Sequence, residues 1–158
     1  MKLYFLRHAE ALPGEDDAAR PLSQTGKKEA QSLGRFLNSA GVAFDAAFSS
    51  PLVRARQTAE IVLKICGDVS PADLDLTEAL QNETSQKAFE RWLKDLPEGN
   101  KVLLVGHEPT LSERVRRLLT IASTERFRLP KGGLACVESE DRRTGCLKFF
   151  VSPKILME

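Results

Sequence analysis

Only two histidines occur in the chain, His8 and His107, and each closes an apolar run, in "KLYFLRHAE" and in "KVLLVGHEP". Arg7 stands directly before the first. A further basic residue, Arg54, lies in "SSPLVRARQTAE". Two arginines and two imidazoles gathered at one point suit a phosphoryl group. A guanidinium fork matches phosphate oxygens in bidentate fashion. An imidazole nitrogen can attack phosphorus and form a covalent phosphohistidine, which divides one difficult displacement into two easier ones. Other readings compete with this one. A histidine after a strand is usually structural. Two histidines with Glu10 or Glu108 could bind a metal, but no HExxH or comparable spacing supports it. Dinucleotide binding is excluded, because no GxGxxG follows the first apolar run. No metal or cofactor is expected.

The residues reach one point only if the elements between them place them there. "LYFL" reads as a short buried strand, and "KVLLV" as the clearest central one. "DAAFSS" is a further strand, "VSPADLDL" a weak one. Ser23 caps a helix carried by Ala30, Leu33, Gly34 and Leu37, with Gly41 at its C-terminal end. Ser50 and Pro51 read as N-cap and first residue of a helix striped by Leu52, Ala55, Ala59, Val62 and Leu63. Thr84 opens an amphipathic helix with Phe89, Trp92, Leu93 and Leu96 on its buried side. Pro109 starts another, carried by Leu111, Val115, Leu118 and Leu119. "GGLACVES" and "CLKFFVS" form an antiparallel hairpin around "EDRRTG". Strands alternating with helices imply an α/β layer with a mostly parallel sheet. In such sheets ligands gather outside the carboxyl ends of the strands. Arg7, His8 and His107 then project from one edge, and the helix bearing Arg54 turns its N-terminal N–H groups toward it.

At 158 residues the expectation is one domain spanning 1–158. A net charge of +1 exerts no global pull on nucleic acid or an anionic membrane. No apolar run approaches the ~20 residues of a membrane span, and "MKLYFL" is too short for a signal peptide. Cys66, Cys136 and Cys146 form no CxxC pair, which fits a reducing cytoplasm. There is no internal repeat, linker or low-complexity segment.

The order of these motifs resembles the histidine phosphatase superfamily, which includes cofactor-dependent phosphoglycerate mutases. The Arg-His pair of "FLRHAE", the helix start in "SSPLVRARQTAE" and the late histidine of "LLVGHEPTL" carry the likeness. "ARPLSQTGKKEA" is similar to the short SixA-type phosphohistidine phosphatases within that family. The resemblance implies a phosphoglycerate mutase-like three-layer sandwich, its mostly parallel sheet flanked by helices. It implies no lid insertion, since residues 66 to 101 hold little beyond one helix. It makes His8 the nucleophile and Arg7, Arg54 and His107 the groups that neutralise the phosphoryl oxygens. Arg20 is a candidate phosphate contact, or else a solvated loop arginine. Glu78, with Glu83 behind it, is a candidate general acid, or else an exposed loop carboxylate. Ser49 and Ser50 serve as helix caps or phosphate neighbours. "RVRR" at Arg114–Arg117 reads as a solvated helix face, or as a lure for an acidic partner protein. The expected activity is that of a cytoplasmic protein phosphohistidine phosphatase, its partner a phosphohistidine phosphotransfer domain. The alternatives are a phosphatase of small phosphate esters and a non-catalytic phosphoprotein-binding module.

Overall fold

The computed structural model describes residues 1–67, 69–123 and 125–157. Among them β1 (Lys2–Arg7) leads through α1 (Gln24–Ser39) to β2 (Ala46–Ser49), and α2 (Val53–Cys66) leads to β3 (Asp75–Leu76). Then follow α3 (Gln86–Asp95), β4 (Lys101–Gly106), α4 (Thr110–Leu118), β5 (Leu134–Glu138), β6 (Cys146–Val151) and α5 (Pro153–Leu156). The strands form one sheet in the order β3-β2-β4-β1-β5-β6. Pairings β2–β3, β2–β4 and β1–β4 are parallel; β5 is antiparallel to both its neighbours. The "CLKFFVS" hairpin is therefore the edge of the same sheet.

Helices cover both faces, which is why the inner strands read as unbroken apolar runs. In β1, Tyr4 and Leu6 turn toward Leu33, Leu37, Ala59 and Leu63 of α1 and α2. Leu3 and Phe5 turn the other way, toward Phe89 and Leu93 of α3 and Leu111 and Val115 of α4. Each of these side chains contributes roughly 1.5–3 kcal/mol by leaving water. The result is the three-layer, phosphoglycerate mutase-like α/β fold. Among the described residues no lid is inserted: between α2 and β4 they form only β3, α3 and two single 3₁₀ turns, Pro71–Asp73 and Glu78–Leu80. Among the described residues no helix is long and apolar enough to cross a membrane.

Helix ends depart from expectation where a hydroxyl has a better partner. α1 starts as expected, with Ser23 Oγ accepting from Gly26 N at 3.0 Å. α2 begins at Val53 with Leu52 as its N-cap, not at Ser50 and Pro51. Ser50 Oγ stands instead 2.7 Å from His107 Nε2. Ser85, not Thr84, caps α3; the Thr84 hydroxyl donates to Glu78 O. Pro109 is the N-cap of α4 and not its first residue.

The largest correction concerns "RVRR". Arg114 and Arg116 are 3% and 8% exposed, so this is no solvated face. α4 lies against the start of α3, where Arg114 donates to Gln86 Oε1 (2.9 Å) and Thr84 O (2.7 Å). Its guanidinium also sits 4.8 Å over the Phe89 ring. Arg116 donates to Phe127 O at 2.8 Å. Buried charges persist where such acceptors replace water. Arg117 alone of the three arginines is exposed.

Candidate active site

β1 and β4 run parallel with Arg7 opposite Gly106, so the next residues, His8 and His107, leave the sheet side by side. Their ring centroids are 5.1 Å apart, close to the ~4.8 Å between neighbouring strands. His8 Nδ1 lies 2.7 Å from Ala9 O. A carbonyl only accepts, so Nδ1 carries the proton and Nε2 keeps its lone pair. On the other side of β4, the end of β2 brings Ser50 to His107. Ser50 Oγ accepts from Leu52 N at 3.2 Å and shares a hydrogen bond with His107 Nε2, its direction set by the tautomer of the ring. The second nitrogen of the His107 ring is Nδ1. That atom is buried and has no partner among the described residues.

Arg7 is cradled by the turn before β5. Its Nη1 donates to Leu129 O (3.0 Å) and its backbone N to Gly133 O (3.0 Å), while Gly132 N donates to His8 O (3.1 Å). Gly132 has φ +70°, which suits glycine better than any side chain. Arg7 Nε is buried and unpartnered among the described residues. Arg54, 8% exposed, donates through Nη1 to Asp17 O (2.7 Å) and through Nη2 to Asp17 Oδ2 (3.2 Å). Thr58 Oγ1 ties α2 to the segment after His8, donating to Arg54 O (2.7 Å) and accepting from Ala9 N (3.1 Å). On that segment's other flank α1 packs so closely that a Cβ on Gly26 would stand 2.0 Å from Glu10 O.

Among the described residues Arg20 reaches the cluster through Asp17 alone, donating to its Oδ1 at 3.0 Å, and it also donates to Leu12 O at 2.8 Å. Those contacts with Arg20, then with Arg54, hold the Asp17 carboxyl below the usual carboxylate range. Glu78 is exposed at the start of the 3₁₀ turn Glu78–Leu80, and Glu83 is exposed beyond it. Among the described residues the Glu78 carboxylate makes no hydrogen bond to the cluster. Ser49 Oγ donates to Ser50 O at 2.8 Å and so braces the chain behind His107.

Electrostatics keep both rings neutral. Burial first, and the charges of Arg54, Arg7 and Arg20 after it, pull His8 from 6.5 to about 4 against the opposing bond to Ala9 O. His107 falls from 6.5 to about 3 through burial, then the nearby His8 and Arg54. Burial also lowers the Arg7 guanidinium, opposed by the charges of Glu108 and Glu29. Glu108 is fixed by the N–H and hydroxyl of Ser112. Among the described residues no group of three or more His, Cys, Asp or Glu is placed to hold a metal ion.

Asp17, Ser50 as partner of His107, Thr58 and the Leu129–Gly133 turn are the parts that sequence reasoning left unassigned. The acidic "GEDDAAR" stretch before Arg20 was a visible signal for Asp17, since a buried arginine such as Arg54 calls for an acceptor.

Comparison with known proteins agrees with this architecture. The model of the histidine phosphatase superfamily (branch 1) matches residues 3–85. An uncharacterised protein of Picosynechococcus sp. is 31% identical over 167 residues, covering 99% of both chains. The probable phosphoglycerate mutase GpmB of Salmonella paratyphi A is 27% identical over 164 residues, covering 93% of this chain and 73% of its own. Among solved structures, the protein histidine phosphatase SixA complexed with tungstate superposes with a TM-score of 0.88 over 99% of both chains, at 24% identity. The chain belongs to the histidine phosphatase superfamily, and it is a phosphatase.

Proposed function

We propose that the protein removes phosphate from phosphohistidine on another protein, by way of a covalent phosphoryl group on His8 Nε2. The observation that carries this is the paired state of the two rings. His8 Nδ1 is committed to Ala9 O, which leaves Nε2 nucleophilic, beside two buried nitrogens without partners among the described residues, Arg7 Nε and His107 Nδ1. The His8 Nε2 lone pair attacks phosphorus as the phosphorus–nitrogen bond of the substrate breaks. The departing imidazole nitrogen takes its proton from water or His107. Water then attacks the phosphorus of phospho-His8, releasing inorganic phosphate and restoring Nε2. Arg7, Arg54 and His107 offset charge on the phosphoryl oxygens through both steps. A bound phosphate opposes the cationic neighbours and favours the charged form of His107.

Two features support a phosphohistidine protein over a small ester. An imidazole leaves far more readily than an alkoxide, so an exposed Glu78 outside the cluster is no handicap. The absent lid leaves the strand ends open to a side chain carried by a second protein. A phosphohistidine phosphotransfer domain in the cytoplasm fits both, with residues 1–158 acting as one domain.

The test is phosphate release from such a phosphorylated domain, beside an aryl phosphate and a phosphoglycerate, in chelator and with His8→Ala as control. Fast, His8-dependent release from the phosphohistidine protein alone is expected. Preference for the esters moves the protein to the small-molecule branch and makes Glu78 the acid to test. Saturable binding without release leaves a binding module.

A further inference from the structure

Away from the strand ends, α3, α4 and the β5–β6 turn enclose an open cleft of about 740 Å³. Its floor is apolar, formed by the buried side chains of Phe89, Leu93 and Leu118. Its rim is cationic and exposed: Lys87, Arg91 and Lys94 from α3, Arg117 from α4, and Arg143 from the turn. With Arg114 and Arg142, seven cations meet two carboxylates there, in a chain whose net charge is only +1.

Neither carboxylate serves the rim. Glu90 Oε1 accepts from Gln86 Nε2 at 2.8 Å, and Asp141 Oδ1 accepts from Arg143 N and Thr144 N at 2.8 and 2.9 Å. Arg142 is likewise committed, donating to the carbonyls of Leu93, Lys94 and Leu96. Among the described residues none of the five rim cations has a carboxylate within ion-pair reach. Like charges held together on a surface repel one another, and an acidic partner relieves that repulsion.

The cleft runs from Arg114 on α4 to the β5–β6 turn, which lies at the opposite edge of the sheet from His8. Arg114 is the fifth residue of α4, which starts at Thr110, three residues after His107. Asn82 Nδ2 donates to Glu108 O (2.8 Å) and Thr110 Oγ1 donates to Asn82 Oδ1 (2.7 Å), binding the segment before α3 to the segment after His107. A small domain, about 30 Å across, is wide enough to reach from the strand ends to the Arg114 end of the cleft.

We propose that the cleft docks an acidic face of the phosphorylated protein substrate, its carboxylates meeting the cationic rim. This rests on the protein-substrate reading above. Small phosphorylated compounds reach His8 without touching the cleft, and that difference is what the experiment uses.

The triple variant Lys87→Glu, Arg91→Glu, Arg117→Glu is compared with wild type on an acidic phosphotransfer domain bearing phosphohistidine and on free phosphohistidine. The neutral triple variant, with Gln at the same positions, serves as a milder second. All three positions are exposed, and circular dichroism checks the fold. The KM for the protein should rise about tenfold or more in the Glu variant and less in the Gln variant. Wild-type kcat/KM on the protein should fall with added salt, while free phosphohistidine is turned over equally by all three. An unchanged KM for the protein overturns docking and leaves the proposed activity intact. No release from the protein by wild type overturns the activity first and docking with it. A single-stranded RNA oligonucleotide bound by wild type and lost in the Glu variant, with KM for the protein unmoved, reassigns the cleft to nucleic acid and also overturns docking.

Discussion

At the strand ends, Arg7 and Arg54 are held from behind by Leu129 O and by Asp17, with Arg54 almost fully buried. Along α3 and α4, Lys87, Arg91 and Arg117 stand in solvent without a counter-ion among the described residues. The first group can meet charge that develops at one point, because its donors need no rearrangement when the reaction occurs. The second acts over a distance but is screened beyond ~8 Å at physiological salt. Positive charge in this molecule thus stands in two settings, one buried and fixed, the other exposed and mobile.

The sharpest break between the regions is His8→Ala. It removes the nitrogen proposed to attack, so turnover should fall to background while the cleft is untouched. Quenched mixtures of wild type and ³²P-labelled substrate should contain a phosphorylated protein, and those of the variant none. A phosphorylated His8→Ala protein would place the nucleophile elsewhere.

Arg54→Lys is the next step down. Lysine keeps the charge and loses the fork, so it cannot hold Asp17 and a phosphoryl oxygen together in one plane. A loss of about 10²-fold in kcat/KM on free phosphohistidine is expected. Arg117→Lys, on the cleft, should leave the same assay unchanged. Equal effects at both positions would erase the distinction between fixed and mobile charge.

That distinction was only partly legible in the sequence. β1 and β4 are unmistakable because both of their faces are covered, which makes "LYFL" and "KVLLV" continuous apolar runs. Their order and the residue types after them were enough to propose Arg7, His8, Arg54 and His107, and the in-register pairing of β1 with β4 is what brings the two rings together. The buried arginines were not legible. Arg114 finds its acceptors 28 and 30 residues away, and Arg54 meets Asp17 across 37. No pattern local to either arginine encodes such partners, and only the acidic "GEDDAAR" stretch hints at one of them, Asp17. Ser50 misled for another reason: a hydroxyl before a helix and a hydroxyl bonded to an imidazole look alike in one dimension.

Acid provides a graded test of the buried cluster. His8 and His107 titrate at about 4 and about 3 in the folded chain, against 6.5 when unfolded. Between those values the unfolded chain binds more protons than the folded one, so acid favours unfolding. Stability contributed by the two rings is fully present above pH 6.5 and drains away as pH falls toward 4. From pH 7 to pH 5 the loss should be on the order of 2–4 kcal/mol for the pair, read as a falling denaturation midpoint. His107→Gln should flatten the slope. Inorganic phosphate should flatten it too, since an anion beside the rings raises their folded values. A midpoint independent of pH across this range would mean that the rings are not buried against their cationic neighbours.

The smallest effects separate two arginines three residues apart on α4. Arg114→Ala strips Thr84 O and Gln86 Oε1 of their donor and removes the group over Phe89. Charged hydrogen bonds of this kind contribute about 1.5–3 kcal/mol, so a destabilisation near 2 kcal/mol is expected. Arg117→Ala removes an exposed group and should stay within about 0.5 kcal/mol of wild type. Urea unfolding of the two variants measures both. If Arg117 proves the costlier loss, the rim of the cleft is held by contacts within the chain, and its charge is not free for a partner. If Arg114 does, one face of "RVRR" stabilises the helix layer while the other remains available for docking.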